Sequence, residues 1–317
     1  CLFTDREGIL WVGTNGGGLY KFAGKLITTY NVKSGLSSNL VMAIQKGQDK
    51  STWIGTYDKG ISHIIEDTIV RIENKNGLIN NTIWALAIDG EDNLWAGTNR
   101  GISRITKSEI QNYDKKDGLL DNKITSLYFD DTNNEMWMGS INGYTRFKNR
   151  VFTQNGQSDG FPGKRIRKIN KDLKGNIWFG TINGLVKFDG KQYKTFTILD
   201  SLPSNTIYCF DFDVDKMWIG TKLGLSLFEN GKFSQFRLGE SPGDFQINSI
   251  LDDKRGRIWV GTNNGIYTIQ SGFGKDYILE HYSKENGLIG VECNQNAIFQ
   301  DDEGNIYIGT EAGMSRF

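Results

Sequence analysis

Few residues in this 317-residue sequence stand at the spacings that chemistry requires. Its two histidines, His63 and His281, have no partner at catalytic-triad or metal-ligand spacing, and both read as packed or surface side chains. Asp211-Phe212-Asp213-Val214-Asp215 has the acidic spacing with which a calcium loop begins. However, Lys216 replaces the glycine on which such a loop turns, and Lys222 stands where its bidentate glutamate belongs. A solvated hairpin accounts for the run better. The three cysteines, Cys1, Cys209 and Cys293, are odd in number, far apart and without Cys-x-x-Cys spacing, which indicates neither a disulfide framework nor a zinc site. No catalytic residue, cofactor or metal is implied, and no pair of carboxylates stands out for acid–base work.

The charge balance narrows the choice of partner. Lys plus Arg and Asp plus Glu both number 37, so no net field draws the chain to nucleic acid or an anionic membrane. No run of about 18 apolar residues could span a bilayer. Beginning at Cys1, with neither an initiator methionine nor a signal peptide, the sequence reads as a segment of a longer protein.

The elements that must position any site come from a repeat. Trp-x-Gly-Thr recurs at Trp11, Trp53, Trp95, Trp178, Trp218 and Trp259, with variants at Trp137-Met138-Gly139-Ser140 and Tyr307-Ile308-Gly309-Thr310. Successive copies lie 42, 42, 42, 41, 40, 41 and 48 residues apart, the period of a four-stranded propeller blade. Each copy opens with a β-rich strand A such as 82–88. Asp-x-x-Gly turns, as at Asp5, Asp172, Asp253 and Asp301, lead to a strand B carrying the Trp. A recurrent glycine (Gly18, Gly60, Gly101 and their equivalents) opens strand C, and hairpin dipeptides such as Asp189-Gly190 lead to strand D. One such sheet cannot bury both of its faces, so the copies must stack radially.

The expected fold is therefore all-β: a β-propeller of four-stranded antiparallel blades. Strands A, B and C occur eight times but strand D only seven, which favours seven blades over eight. Strand 26–30 would complete the last blade, ending at Phe317. Residues 1–317 then form one repeat array, with 1–24 the last-blade remnant of a preceding propeller and 25–317 the closed ring.

Copies of a repeat can be aligned against one another. Trp, Gly and Thr recur and so serve the blade. Asn39, Asn81, Asn122 and Asn205 share one position before strand A and read as turn caps. Three positions on, the chemistry diverges: Met42, Trp84, Thr125, Arg167, Tyr208, Asn248 and Asn296, beside an apolar column of Val41, Ile83, Ile124, Ile166, Ile207 and Ile247. Strand A is the innermost strand of a blade, so the variable column should ring the mouth of the central channel. Trp84, Arg167, Tyr208, Asn248 and Asn296 offer aromatic faces and polar donors suited to a sugar, while Met42 and Thr125 suit filling. The B–C loops should open on the same face, and there Tyr57 and Arg100 are the most ligand-like.

The pattern Asp-x-x-Gly-x-Leu/Ile-Trp-Ile/Val-Gly-Thr-x-x-Gly-Leu/Ile resembles the two-component regulator propeller repeat along essentially the whole chain. No Trp-Asp dipeptide occurs, which argues against Trp-Asp propellers. The run 287–294 followed by 304–309 is similar to the final blade of Bacteroidetes-type hybrid histidine kinase sensors. That resemblance implies a periplasmic, non-catalytic sensor segment for a small molecule or glycan, most simply an oligosaccharide. It implies downstream partners in the same protein, a β-sandwich with three tyrosines and then a kinase, and it allows a homodimer. Function carried over from fold is an analogy, so two alternatives stand beside it: a protein–protein interaction propeller, and a propeller lyase or hydrolase.

Overall fold

Seven four-stranded antiparallel sheets, six of them paired in chain order, make the blades of a seven-bladed β-propeller. The computed structural model describes residues 2–4, 10–13, 19–22, 27–66, 68–214, 216–238, 245–272 and 277–317. Cys1, the 5–8 turn, Gly18, Leu26 and Asp215 lie outside the described residues. The first strands of the blades, Val41–Lys46, Ile83–Ile88, Ile124–Asp130, Lys168–Lys171, Ile207–Asp213, Ile247–Asp252 and Cys293–Gln300, abut one another in succession. The last returns onto the first, so these strands line the channel.

Closure uses both ends of the array. Thr28–Tyr30 pairs antiparallel with Gly313–Arg316, with Tyr30 opposite Met314 and Thr28 opposite Arg316, so the seventh blade takes its outer strand from the start of the ring. A closed ring leaves no long unpaired strand edge. Ahead of it Leu2–Thr4, Leu10–Gly13 and Leu19–Phe22 form a separate three-stranded sheet. Among the described residues no helix is long and apolar enough to cross a membrane.

The recurring residues prove to be scaffold, each for a physical reason. A Cβ on the Gly of Trp-x-Gly-Thr would strike the next blade: at Gly55 it would lie 2.6 Å from Ile83 Cγ2, and at Gly309 2.7 Å from Val41 Cγ1 across the closure. The following Thr or Ser hydroxyl donates to the carbonyl of the recurrent glycine in every blade, as Thr181 Oγ1 does to Gly184 O at 2.7 Å. The Trp packs between blades, as Trp95 does against Phe147 at 5.1 Å.

In four blades the turn aspartate is wired to that Trp or to the Tyr in its place. Asp172 accepts from the backbone N–H of Lys174 and Asn176 and from Trp178 Nε1 at 2.8 Å. Asp89 does the same for Trp95, Asp253 for Trp259, and Asp301 for the Tyr307 hydroxyl. In blades three and five no aspartate accepts from the indole, and the N–H of Trp137 and of Trp218 is buried without a partner.

Before strand A the chain makes one tight 3-10 turn, such as Asn74–Asn76, closed by a glycine at positive φ (Gly77, 111°) and followed by a buried leucine. Asn39, Asn81, Asn122 and Asn205 each reach back seven residues to accept the N–H that starts this turn.

Candidate functional site

The variable column has a structural cause. Strands A and B slip register at one residue in most blades: Val41 pairs Thr56 and Ala43 pairs Gly55, leaving Met42 over. Trp84, Thr125, Tyr208 and Asn248 are the extra residues of the equivalent bulges. A bulged residue has no place in the ladder and its side chain is re-aimed, which brings Met42, Trp84 and Thr125 to the channel mouth. The apolar neighbours in the column, from Val41 to Ile247, are all fully buried. One position therefore diverges while its neighbour cannot.

In the last blade the bulge expands. Cys293 pairs Thr310 and the regular ladder resumes only at Ile298 opposite Ile308, so Asn294–Ala297 arch out of register, with Asn296 at a φ of 57°. The arch reaches across the channel. Asn294 Nδ2 donates to Val41 O at 2.8 Å, and Gln295 Nε2 to Tyr208 O at 3.2 Å. Asn296 Nδ2 donates to both Arg167 O and Tyr208 O, and Arg167 Nη1 returns a bond to Gln295 Oε1 at 2.6 Å.

One side of the mouth is thus bridged and the other left hollow. A cavity of about 110 Å³ remains, walled by Met42, Trp84, Thr125 and Arg167 from the column, by Gln295 and Asn296 from the arch, and by Lys123 and Arg165. A larger space of about 610 Å³ runs along the strands of the channel and shares Trp84, Thr125, Arg167 and Asn296.

Trp84 is half-buried and held from three sides. Its Nε1 donates to Asn99 Oδ1 at 2.7 Å, the exposed Tyr57 ring meets it edge-on at 5.5 Å, and Lys123 Nζ lies 4.4 Å from its ring centre. Burial, then the nearby Arg165 and Arg167, pull the Lys123 ammonium below its ordinary pKa. Arg167 stacks on Tyr208 at 4.6 Å and is likewise depressed, first by burial.

The residues singled out in sequence separate here. Trp84, Arg167 and Asn296 wall the cavity and Tyr57 braces it, whereas Arg100 is exposed and away from its walls. Tyr208 underlies Arg167. Asn248 is 4% exposed and donates to Cys293 O at 2.8 Å, so burial gives it a packing role. Lys123, Arg165 and Gln295 were missed. The first two precede the variable column, and Gln295 belongs to an arch three residues longer than the alignment of copies allowed.

Neither histidine walls the cavity. His63 stacks on Trp53 at 3.3 Å, and His281 stacks on Tyr267 while its Nε2 meets Asn264 O at 2.8 Å. Cys209 and Cys293 are buried free thiols whose pKa burial raises. Among the described residues no group of three or more His, Cys, Asp or Glu is placed to hold a metal.

Two stretches of the chain, 77–100 and 241–264, match the family model described as Two component regulator propeller. The chain carries two-component regulator propeller repeats. The first stretch runs from the turn glycine through Trp84 to the B–C loop. Among solved structures, the extracellular domain of the putative hybrid two-component system BT3049 from B. thetaiotaomicron superposes on all of the chain with a TM-score of 0.81 at 25% identity. The corresponding domain of BT4673 from the same organism matches 92% of the chain, with a TM-score of 0.74 at 21% identity. The chain spans 44% and 39% of the lengths of those two domains, less than half of each. Virginiamycin B lyase from Staphylococcus aureus shares the fold alone, at 15% identity and a TM-score of 0.72, over 92% of this chain and 98% of its own. No curated protein sequence matches the chain.

Proposed function

We propose that this chain is the ligand-binding propeller of a periplasmic sensor in a hybrid two-component protein, with an oligosaccharide bound at the channel mouth. The observation that carries the reading is the bulge. It frees one residue from the ladder in five of the blades, and the freed residues of the first three, with Arg167 of the fourth, wall a cavity beside a braced Trp84. An aromatic face flanked by donors is the usual equipment for gripping a sugar ring. The separate sheet 2–22 is the last-blade remnant of a preceding propeller, and a β-sandwich and kinase follow. The segment itself is non-catalytic. Ligand at the mouth would shift the packing of propellers or paired protomers only by its differential affinity for the two arrangements.

Thermal-shift screening of the chain against a panel of glycan fragments tests this. A stabilising fragment whose effect disappears in Trp84→Ala supports it. An affinity unchanged in both Trp84→Ala and Tyr208→Ala places the ligand elsewhere, and a panel without any response removes the sensor reading.

A further inference from the structure

We propose that the group this mouth receives is an anion carried on a saccharide, a ring carboxylate or a sulfate ester, seated among Lys123, Arg165 and Arg167. The inference rests on the mouth being the ligand site and adds the chemical class of the ligand. Three cationic side chains wall one small cavity, and no carboxylate does. The protein as a whole is neutral, so the bias is local. Among the described residues none of the three cations forms an ion pair within 4 Å, although eight such pairs occur elsewhere.

The carboxylate nearest in sequence, Asp121, is already committed. It accepts from Ser140 Oγ at 3.0 Å and from the backbone and side-chain nitrogens of Asn142 at 2.9 and 3.1 Å. Arg167 keeps a buried Nε without a partner, although its Nη1 is bonded to Gln295. Lys123 has the Trp84 face, and Arg167 the Tyr208 face and the neutral Gln295 oxygen, to offset their charge. Burial and mutual repulsion already depress both, a cost that a bound anion would remove.

Size and shape point to a sugar. At roughly 10–15 Å³ per water, a cavity of about 110 Å³ holds several waters, or one acidic substituent with the ring atoms that bear it. Trp84 then stands beside the anion as a platform for the rest of the ring.

Isothermal titration of the whole chain with oligogalacturonate, a 4-sulfated chondroitin disaccharide, neutral galacto-oligosaccharide and sodium sulfate decides the matter. The expected result is binding of at least one acidic saccharide, at least tenfold tighter than the neutral one and weakening with salt. Arg165→Gln, at an exposed position, and Lys123→Gln should each weaken it by about tenfold or more, the scale of one charged hydrogen bond. Neutral saccharide bound as tightly, and lost in Trp84→Ala, overturns the anion assignment and leaves the sensor reading intact. Sulfate bound as tightly as the acidic saccharides overturns the saccharide part. Failure of both acidic probes overturns the proposal, and failure of every saccharide counts against the sensor reading as well.

Discussion

Asn296 Nδ2 donates to Arg167 O at 2.8 Å across the channel, tying the seventh blade to the fourth, and a second bond to Tyr208 O at 3.1 Å adds the fifth. Propeller blades otherwise touch only their neighbours, so this contact joins blades that the ring itself keeps apart. Asn296 sits at a φ of 57°, which asparagine and glycine tolerate and most residues do not. Asn296→Gly keeps that backbone and deletes both bonds. It should cost ~1–3 kcal/mol, seen as a lower midpoint in chemical denaturation. Asn296→Ala should cost more, because it adds strain to the same loss. Glycine equal to wild type would mean that the bonds of Asn294 and Gln295 hold the arch without those of Asn296.

Repetition made the fold legible, and the same repetition concealed part of the site. Trp-x-Gly-Thr recurs because Gly55 and its equivalents admit a side chain of the next blade, while the Thr hydroxyl closes the B–C turn. Both needs are local and identical in every copy. The column through Met42 and Trp84 was legible for the converse reason, since a bulged residue escapes the ladder. Lys123 and Arg165 were not legible, because their relation to Trp84 depends on how adjacent blades stack. Gln295 was hidden by an insertion that single-position alignment treats as spacing. Asn248 fits the column by position, but it turns towards Cys293 O and is buried there.

The paired and orphaned indoles allow a clean comparison. Trp178 Nε1 donates to Asp172 at 2.8 Å, whereas Trp218 Nε1 is buried with no acceptor. Replacing either by Phe sheds similar apolar area, but only Trp178→Phe removes a hydrogen bond and strips a donor from a carboxylate. Trp178→Phe should therefore destabilise the chain by ~1–3 kcal/mol more than Trp218→Phe, measured as the difference in unfolding free energy. Equal costs would show that the Asp–Trp wiring contributes nothing net.

Closure by Thr28–Tyr30 predicts a sharp boundary for truncation. A chain starting at residue 25 retains the strand that covers Gly313–Arg316 and should melt within a degree or so of the full chain. One starting at residue 32 loses that strand, bares an edge in the seventh blade, and should melt lower and tend to associate. Scanning calorimetry with light scattering reads both effects. If the chain from residue 25 is also destabilised, the separate sheet 2–22 belongs to the folding unit and is not the remnant of another propeller.

The turn aspartates and Asp211 should respond to acid with opposite signs. At Asp172 burial alone would raise the carboxyl, but the bonds from Trp178 and Asn176 outweigh it and hold the group below the usual carboxylate value; Asp89 and Asp301 behave alike. Such a group binds fewer protons folded than unfolded. Its contribution is complete above the ordinary value of 3.8 and is lost as pH falls through the depressed folded one. Asp211 is instead raised by burial, which the Lys168 charge only partly offsets, so its ionised form weakens the fold at neutral pH. That penalty fades as pH falls through the raised value. Asp172→Ala should therefore lower Tm at pH 7 and flatten its decline below pH ~4. Asp211→Asn should raise Tm at pH 7 and lose that advantage in acid. Melting curves from pH 3 to 8 check both, and a destabilised Asp211→Asn at pH 7 would mean that the bonds from the Asp252 and Phe212 N–H groups outweigh the burial of the charge.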